Sequence, residues 1–240
     1  MAVYVYSITS KDHPMRLDGV HGVGEPPGTL RTLRTVTAGA LCAVVSDAPD
    51  GLRPKRRDVL AHQEVQERLM ADGAVLPLRF GMTTESDETV RAALADRAGE
   101  YQERLRNLAG TTEYNLKASW EEEPLLRRIL RESDEARDLN AAIRDGSGTP
   151  QMSLALGELV AREAEVRQQA LAKGIVEALH PYVRDESFAP PGGHDFLSVS
   201  FLVRADQEEM FLATEISLAN QLGEECEVRL RGPLPPYSFV

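Results

Sequence analysis

Five histidines, two cysteines and a few acidic pairs are the side chains through which this chain could do acid–base, nucleophilic or metal chemistry. His13, His21, His62, His180 and His194 are scattered; none stands at HxxxH or HExxH spacing, and none neighbours a cysteine. Metal ligation needs such clustering, so no metal site is expected. Cys42 and Cys226 fall in separate predicted strands without a CxxC pair and read as buried, reduced thiols rather than a disulfide. His62 lies near the buried side of a predicted helix. No GxSxG, SxxK or Walker lysine accompanies it, so it reads as a hydrogen-bonded structural histidine rather than a catalytic base. The run Gly22-Val23-Gly24-Glu25-Pro26-Pro27-Gly28 superficially resembles a phosphate loop, but it follows no strand directly and holds two prolines. It reads as a turn. The acidic pairs Asp134–Glu135 and Glu121–Glu123 sit at predicted helix starts, where their charge complements the helix dipole. The residues predict neither catalysis nor a cofactor.

Two other features invite a binding role. Arg79 interrupts the apolar run Val75-Leu76-Pro77-Leu78-Arg79-Phe80-Gly81, and a cation there needs a carboxylate or carbonyl partner. Two readings stay open: a buried ion pair joining strand to helix, or a contact with an anion or partner. The second feature is Arg231-Gly232-Pro233-Leu234-Pro235-Pro236-Tyr237-Ser238-Phe239-Val240, a strand-like run broken at Gly232 and followed by a proline-stiffened aromatic tail. Such a tail must lie extended against its own fold or against a partner. The candidate partner-binding residues are therefore Arg79, Arg231, Pro235, Pro236, Tyr237 and Phe239.

The elements that position these residues divide into an α+β segment over residues 1–109 and a second segment over 110–240. In the first, Val3–Ile8 is a predicted strand, and Thr29–Val36 pairs with Ala40–Ser46 around a three-residue loop, Thr37-Ala38-Gly39. A helix spans Pro54–Asp72, Gly73 stops it, Ala74–Phe80 is a strand, and one helix capped by Thr84 or Ser86 carries Val90, Leu94, Tyr101, Leu105 and Leu108 and is ended by Asn107 and Gly110. In the second segment, residues 113–120 alternate as a strand with one wet face. Helices follow at about 122–132, 134–144 and 152–184, the last with a charged, solvated middle. Phe196–Val203, a helix begun by an Asp206/Glu209 capping box, and a strand from Cys226 complete the pattern. On that helix Phe211, Leu212, Ile216, Leu218, Ala219 and Leu222 form one apolar stripe. The strand–helix order predicts a modified ferredoxin-like domain with extra helices, although only three of its four strands are visible.

Length and charge bound the function. At 240 residues the chain can bury one large core or two small ones. The net charge of −11 argues against a phosphate-backbone surface, and no apolar run reaches the ~20 residues of a membrane span. Residues 1–8 read as a strand rather than a signal peptide, so a cytoplasmic location is expected.

Several stretches together resemble the gas vesicle protein F/L family. They are the Val-Tyr-Val-Tyr-Ser-Ile strand, Val59-Leu60-Ala61-His62-Gln63-Glu64-Val65, the Val75–Gly81 segment, Glu113-Tyr114-Asn115-Leu116-Lys117 and the Arg231–Val240 ending. The likeness covers almost the whole chain. One departure lies at Ser147–Leu156, where many members carry a Gly-rich stretch with Tyr-Leu. The resemblance implies two domains, the second ferredoxin-like, and a non-enzymatic accessory or minor structural protein needed to form gas vesicles. It implies binding to the shell protein or other gas vesicle proteins during nucleation and assembly, with no nucleic acid and no membrane partner. A small-ligand-binding or enzymatic ferredoxin-like protein is the competing class. Oligomeric state is not legible.

Overall fold

A computed structural model describes residues 2–24, 32–49, 51–223 and 226–240. Its architecture is α+β, with two compact units: residues Met1–Tyr114 with Gly232–Val240, and residues Asn115–Arg231. The sequence division assigned 110–240 to one domain; by contact, residues 110–114 and the tail group with the first unit.

The first unit is built on a sheet of β1 (Val3–Ser10), β2 (Arg34–Ala38), β3 (Leu41–Asp47), β4 (Val75–Pro77) and the short β5 (Thr83–Thr84), in the order β2-β3-β1-β4 with β5 also on β1. The strands pair antiparallel. β1 and β3 are buried along nearly their whole length, as central strands covered on both faces must be. Three helices supply the cover. α1 (Arg56–Asp72) packs on β1 and β4, α2 (Asp87–Asp96) on β2 and β3, and α3 (Ala98–Leu108) on β1, β3 and β4. The register of β1 on β3 shifts between Val5 and Ser7. A bulge of this kind re-aims side chains: Tyr6 stacks on His62 while the next residue, Ser7, bonds Gln66 one turn further along α1.

Several expectations need correction here. The β2–β3 loop is Gly39-Ala40, because Ala38 pairs directly with Leu41; Gly39 takes φ +58° at the first loop position, where a tight hairpin turn favours glycine. Residues 29–31 of the expected first strand, and Glu25–Gly28 of the glycine-rich loop, lie outside the described residues. The strand expected over 74–80 is only Val75–Pro77. The single helix expected to end at Asn107 and Gly110 breaks at Arg97, whose φ −111°, ψ 25° leaves the helical region between α2 and α3. Ser86 caps α2, accepting from the Thr89 N–H at 3.3 Å.

The second unit opens in β6 (Thr111–Trp120), then α4 (Glu122–Glu132), α5 (Asp134–Arg144) and the 30-residue α6 (Pro150–Leu179). β7 (Val183–Phe188), β8 (Asp195–Arg204), α7 (Glu208–Leu222) and β9 (Cys226–Leu234) follow, and the sheet order is β7-β8-β6-β9. Leu125, Ile129, Ala136 and Leu159 form the core where α4, α5 and α6 meet. α6 and α7 pack on the buried central strand β8, where Phe201 and Phe211 meet edge to face at 5.6 Å. The charged middle of α6 is tied to α4 by Arg167, which reaches Glu132 at 3.1 Å and also pairs with Glu163.

The second unit also departs from expectation. β7 is a fourth strand, because the long helix ends at Leu179 and a 3-10 turn at His180–Tyr182 leads into it. α7 starts at Glu208 behind Gln207 without a side-chain cap, so the Asp206/Glu209 capping box does not form. Ile216 is exposed rather than part of the covered stripe. The second face of β6 is not wet throughout: Glu113 and Ser119 are buried. The strand expected to break at Gly232 continues to Leu234. Cys42 and Cys226 are buried and free.

Candidate interaction site

The tail closes on the first unit over a cluster of aromatic rings. Alternation along β1 delivers Tyr4 and Tyr6, with ring centroids 4.7 Å apart. Helical spacing brings His62 and Gln66 of α1 to the same place, one turn apart. His62 stacks on Tyr6 at 5.6 Å and meets Tyr4 and Phe80 edge-on at 5.7 and 5.8 Å. The tail adds Tyr237, whose hydroxyl lies 3.2 Å from His62 Nε2.

The hydrogen bonds assign the imidazole tautomer. The Tyr4 hydroxyl accepts from the Gly81 N–H at 3.1 Å, leaving its own proton for His62 Nδ1 at 2.9 Å. Nδ1 is therefore an acceptor, and Nε2–H donates to Leu78 O at 3.0 Å, shared with the Tyr237 oxygen. Gln66 Nε2 donates to Tyr6 O at 2.5 Å, and its carbonyl accepts from Ser7 Oγ. The Tyr6 hydroxyl bonds Ser46 Oγ at 2.9 Å and accepts from the Val23 N–H at 2.6 Å. Burial lowers the His62 pKa and so favours this neutral ring; it raises Tyr4 strongly and pushes Tyr237 up to about 12.

A second anchor lies along the tail. Glu113, 3% exposed, accepts from the Ser238 N–H at 3.0 Å and from Ser238 Oγ at 2.7 Å. These bonds give a buried carboxylate its partners. Pro235 and Pro236 are buried and Tyr237 and Phe239 half-buried, whereas Arg231 is exposed. Gly232 lies so close to Tyr114 that an added Cβ would overlap its ring.

Arg79 is exposed and, among the described residues, forms no ion pair, so the buried ion pair read from the sequence is not there. β4 ends at Pro77, and Arg79 belongs to the turn that follows. Its neighbours Leu78 and Gly81 bond His62 and Tyr4 through the backbone, leaving the guanidinium outside the cluster. The structure thus brings Tyr237 to His62 and buries Pro235 and Pro236 beside it in the chain, while Arg79 and Arg231 stand apart as surface cations. Sequence reasoning missed the receiving side: Tyr4, Tyr6, Gln66 and Glu113. The available signal was the Tyr-Val-Tyr alternation, which places two phenols on one face of a strand.

Chemically the cluster is closed. His62 is 3% exposed with both nitrogens engaged, and so cannot exchange protons with a substrate. A cleft of about 470 Å³ in the same unit brings Ser10, His13 and Asp72 together. Their types suggest a nucleophile and base, but His13 accepts from the Met15 N–H at 3.2 Å and its other nitrogen meets Leu69 O at 3.0 Å. Neither is left to activate a hydroxyl. Among the described residues no three His, Cys, Asp or Glu side chains are grouped to hold a metal ion, and no helix is long and apolar enough to cross a membrane.

Residues 2–240 match the family model described as gas vesicle synthesis protein GvpL/GvpF. The chain belongs to the gas vesicle protein F/L family. It is 44% identical to gas vesicle protein F of Streptomyces sp. (strain CB03234), covering 100% of both chains. To gas vesicle protein L of the same strain it is 27% identical, covering 99% of this chain and 92% of the relative. The fold is that of the crystal structure of GvpF from Anabaena sp. PCC7120, with a TM-score of 0.82 at 20% identity over 99% of this chain and 97% of the other.

Proposed function

We propose that this protein is an accessory or minor structural component of gas vesicle formation that binds the shell subunit or other vesicle proteins during nucleation and assembly. The observation that carries this reading is the family match over residues 2–240. Physical chemistry supports it. A wall that holds gas must present an apolar face, so its subunits are prone to aggregate before they assemble. An acidic protein of net charge −11 that exposes Leu154, Val166, Met210 and Ile216 on helices can contact such subunits while staying dispersed itself. We place it in the cytoplasm, in association with vesicles, and acting without catalysis. The plugged His62 cluster and the engaged His13 support the last point over a ligand-binding or enzymatic role. The higher identity to protein F than to protein L of one strain supports an F-like role. The element order of the second unit and its strand order β7-β8-β6-β9 support the ferredoxin-like reading of that unit.

Deleting the gene in a vesicle-forming strain tests the role: cells lacking it are expected to sink and to contain few intact vesicles. Light scattering by purified shell subunit tests the mechanism. Aggregation unchanged by an equimolar amount of this protein would remove the chaperone-like version.

A further inference from the structure

The first unit carries a second surface feature, which borders the aromatic cluster at Phe80 and Gly81. A cleft of about 580 Å³ runs between residues 48–49, 52–54 and 80–83, with Ala48, Leu52, Pro54 and Phe80 among its walls. Met82, beside the lining residues Gly81 and Thr83, is 48% exposed. Arg53, Lys55 and Arg79 each adjoin a lining residue in the chain. All three are exposed, and none of their side chains has an ion-pair or hydrogen-bond partner among the described residues. Scarcity of carboxylates is not the reason, because 38 acidic residues face 27 basic ones. Some arginines elsewhere find them, Arg34 with Asp87, Arg97 with Glu100 and Arg167 with Glu163, while others such as Arg56, Arg68, Arg162 and Arg231 stay unpaired among the described residues; what distinguishes this cleft is that three such cations adjoin it together. Arg53 and Lys55 also lie just before α1, where the helix dipole is itself positive and Lys55 offers no side-chain cap.

We propose that this cleft docks a partner segment in which apolar side chains alternate with carboxylates. The apolar groups would enter against Leu52, Pro54 and Phe80, and the carboxylates would meet Arg53, Lys55 and the planar fork of Arg79. The wall is pre-organised: Phe80 packs edge-on against Tyr4 at 6.0 Å and His62 at 5.8 Å, and the flanking backbone is held through Leu78 O and Gly81 N. That wall has little ordering left to lose on binding. The charge complement selects the partner, since a cationic or uncharged apolar segment would leave the three cations without compensation. This inference goes beyond the vesicle reading by naming the chemistry of the partner, and its test needs no vesicles.

The test uses the full chain and a fluorescein-labelled peptide repeating Glu-Phe-Asp-Leu, followed by anisotropy. Saturable binding is expected, weakened by about tenfold or more when serine replaces Phe and Leu, when lysine replaces the carboxylates, or when the protein carries Lys55→Glu with Arg79→Glu. Circular dichroism melting should be unchanged in that variant. If it fails to fold, Lys55→Gln with Arg79→Gln takes its place, with a smaller loss expected. Equal binding by charge-reversed protein, or by the serine-substituted peptide, overturns the proposal. So does a dimer in sedimentation that the double variant dissolves, which would make a second copy the occupant. Displacement of the peptide by a DNA oligonucleotide of equal charge would assign the cations to phosphate instead and also overturns it. Cells that stay buoyant after gene deletion would defeat the vesicle reading while leaving these binding constants as measured.

Discussion

Tyr237 meets a ring that is already committed. His62 Nε2–H has Leu78 O as its nearer acceptor, and the Tyr237 hydroxyl shares the proton from 3.2 Å. Tyr237→Phe is therefore expected to cost only about 0.5–1.5 kcal/mol in urea unfolding, the net worth of one hydrogen bond, with the ring contact kept. Gly232→Ala is expected to cost more, about 1–3 kcal/mol, because the new methyl must displace the Tyr114 ring. The two buried histidines add a pH dependence. Burial holds both His62 and His13 below the ordinary imidazole value of about 6.5, so the unfolded chain binds more protons than the folded one in mildly acidic solution. Their contribution is full above about pH 6.5 and is lost as pH falls through the folded values. The Asp87 carboxyl, held down chiefly by its hydrogen bond from Arg34, acts only in the acid range below the usual carboxylate value. Urea midpoints should thus fall between pH 7 and 5, and a His62→Gln variant should show a shallower fall.

At the scale of elements, α6 depends on its start. Thr149 accepts from the Met152 N–H at 3.2 Å and Pro150 follows as the first helical residue, so Thr149→Ala should cost about 1 kcal/mol, read from the unfolding of the second unit. The same scale shows what was legible in the sequence. α4 and α5 follow from apolar spacing and acidic starts, signals that act within a few residues. β7 escaped because an edge strand reading Val-Arg-Asp-Glu-Ser-Phe carries charge where a central strand carries valine, a composition that deters pairing with other chains and also conceals the strand. Arg79 read as buried because its neighbours are apolar, but the strand stops at Pro77 and the chain turns. The tail was legible as a segment that lies against its own fold or a partner, yet the residues of its own fold that receive Tyr237 were not. Tyr237 and His62 are 175 positions apart, and no local pattern connects them.

For the whole molecule, the question is what the tail holds. Ending the chain after Leu234 removes two buried prolines, the Tyr237 contact and both hydrogen bonds to Glu113. We expect the first unit to lose at least about 2 kcal/mol, since a buried carboxylate is left without partners as well as apolar area being exposed. Trp120, the one tryptophan, belongs to the second unit, so its fluorescence reports that unit separately. A truncated chain should melt earlier by tyrosine absorbance while the Trp120 transition stays in place. Equal shifts in both signals would mean that the units unfold as one.

The first unit takes its final piece from residues made after the whole of the second. During synthesis at roughly 5–20 residues per second, Tyr4, His62 and Glu113 therefore wait for seconds to tens of seconds before their last contacts arrive. A ribosome that stops early releases a product with an uncovered aromatic cluster and an unanswered carboxylate, the kind of surface that chaperones and proteases recognise. Seating of the tail thus requires a polypeptide translated at least as far as Ser238.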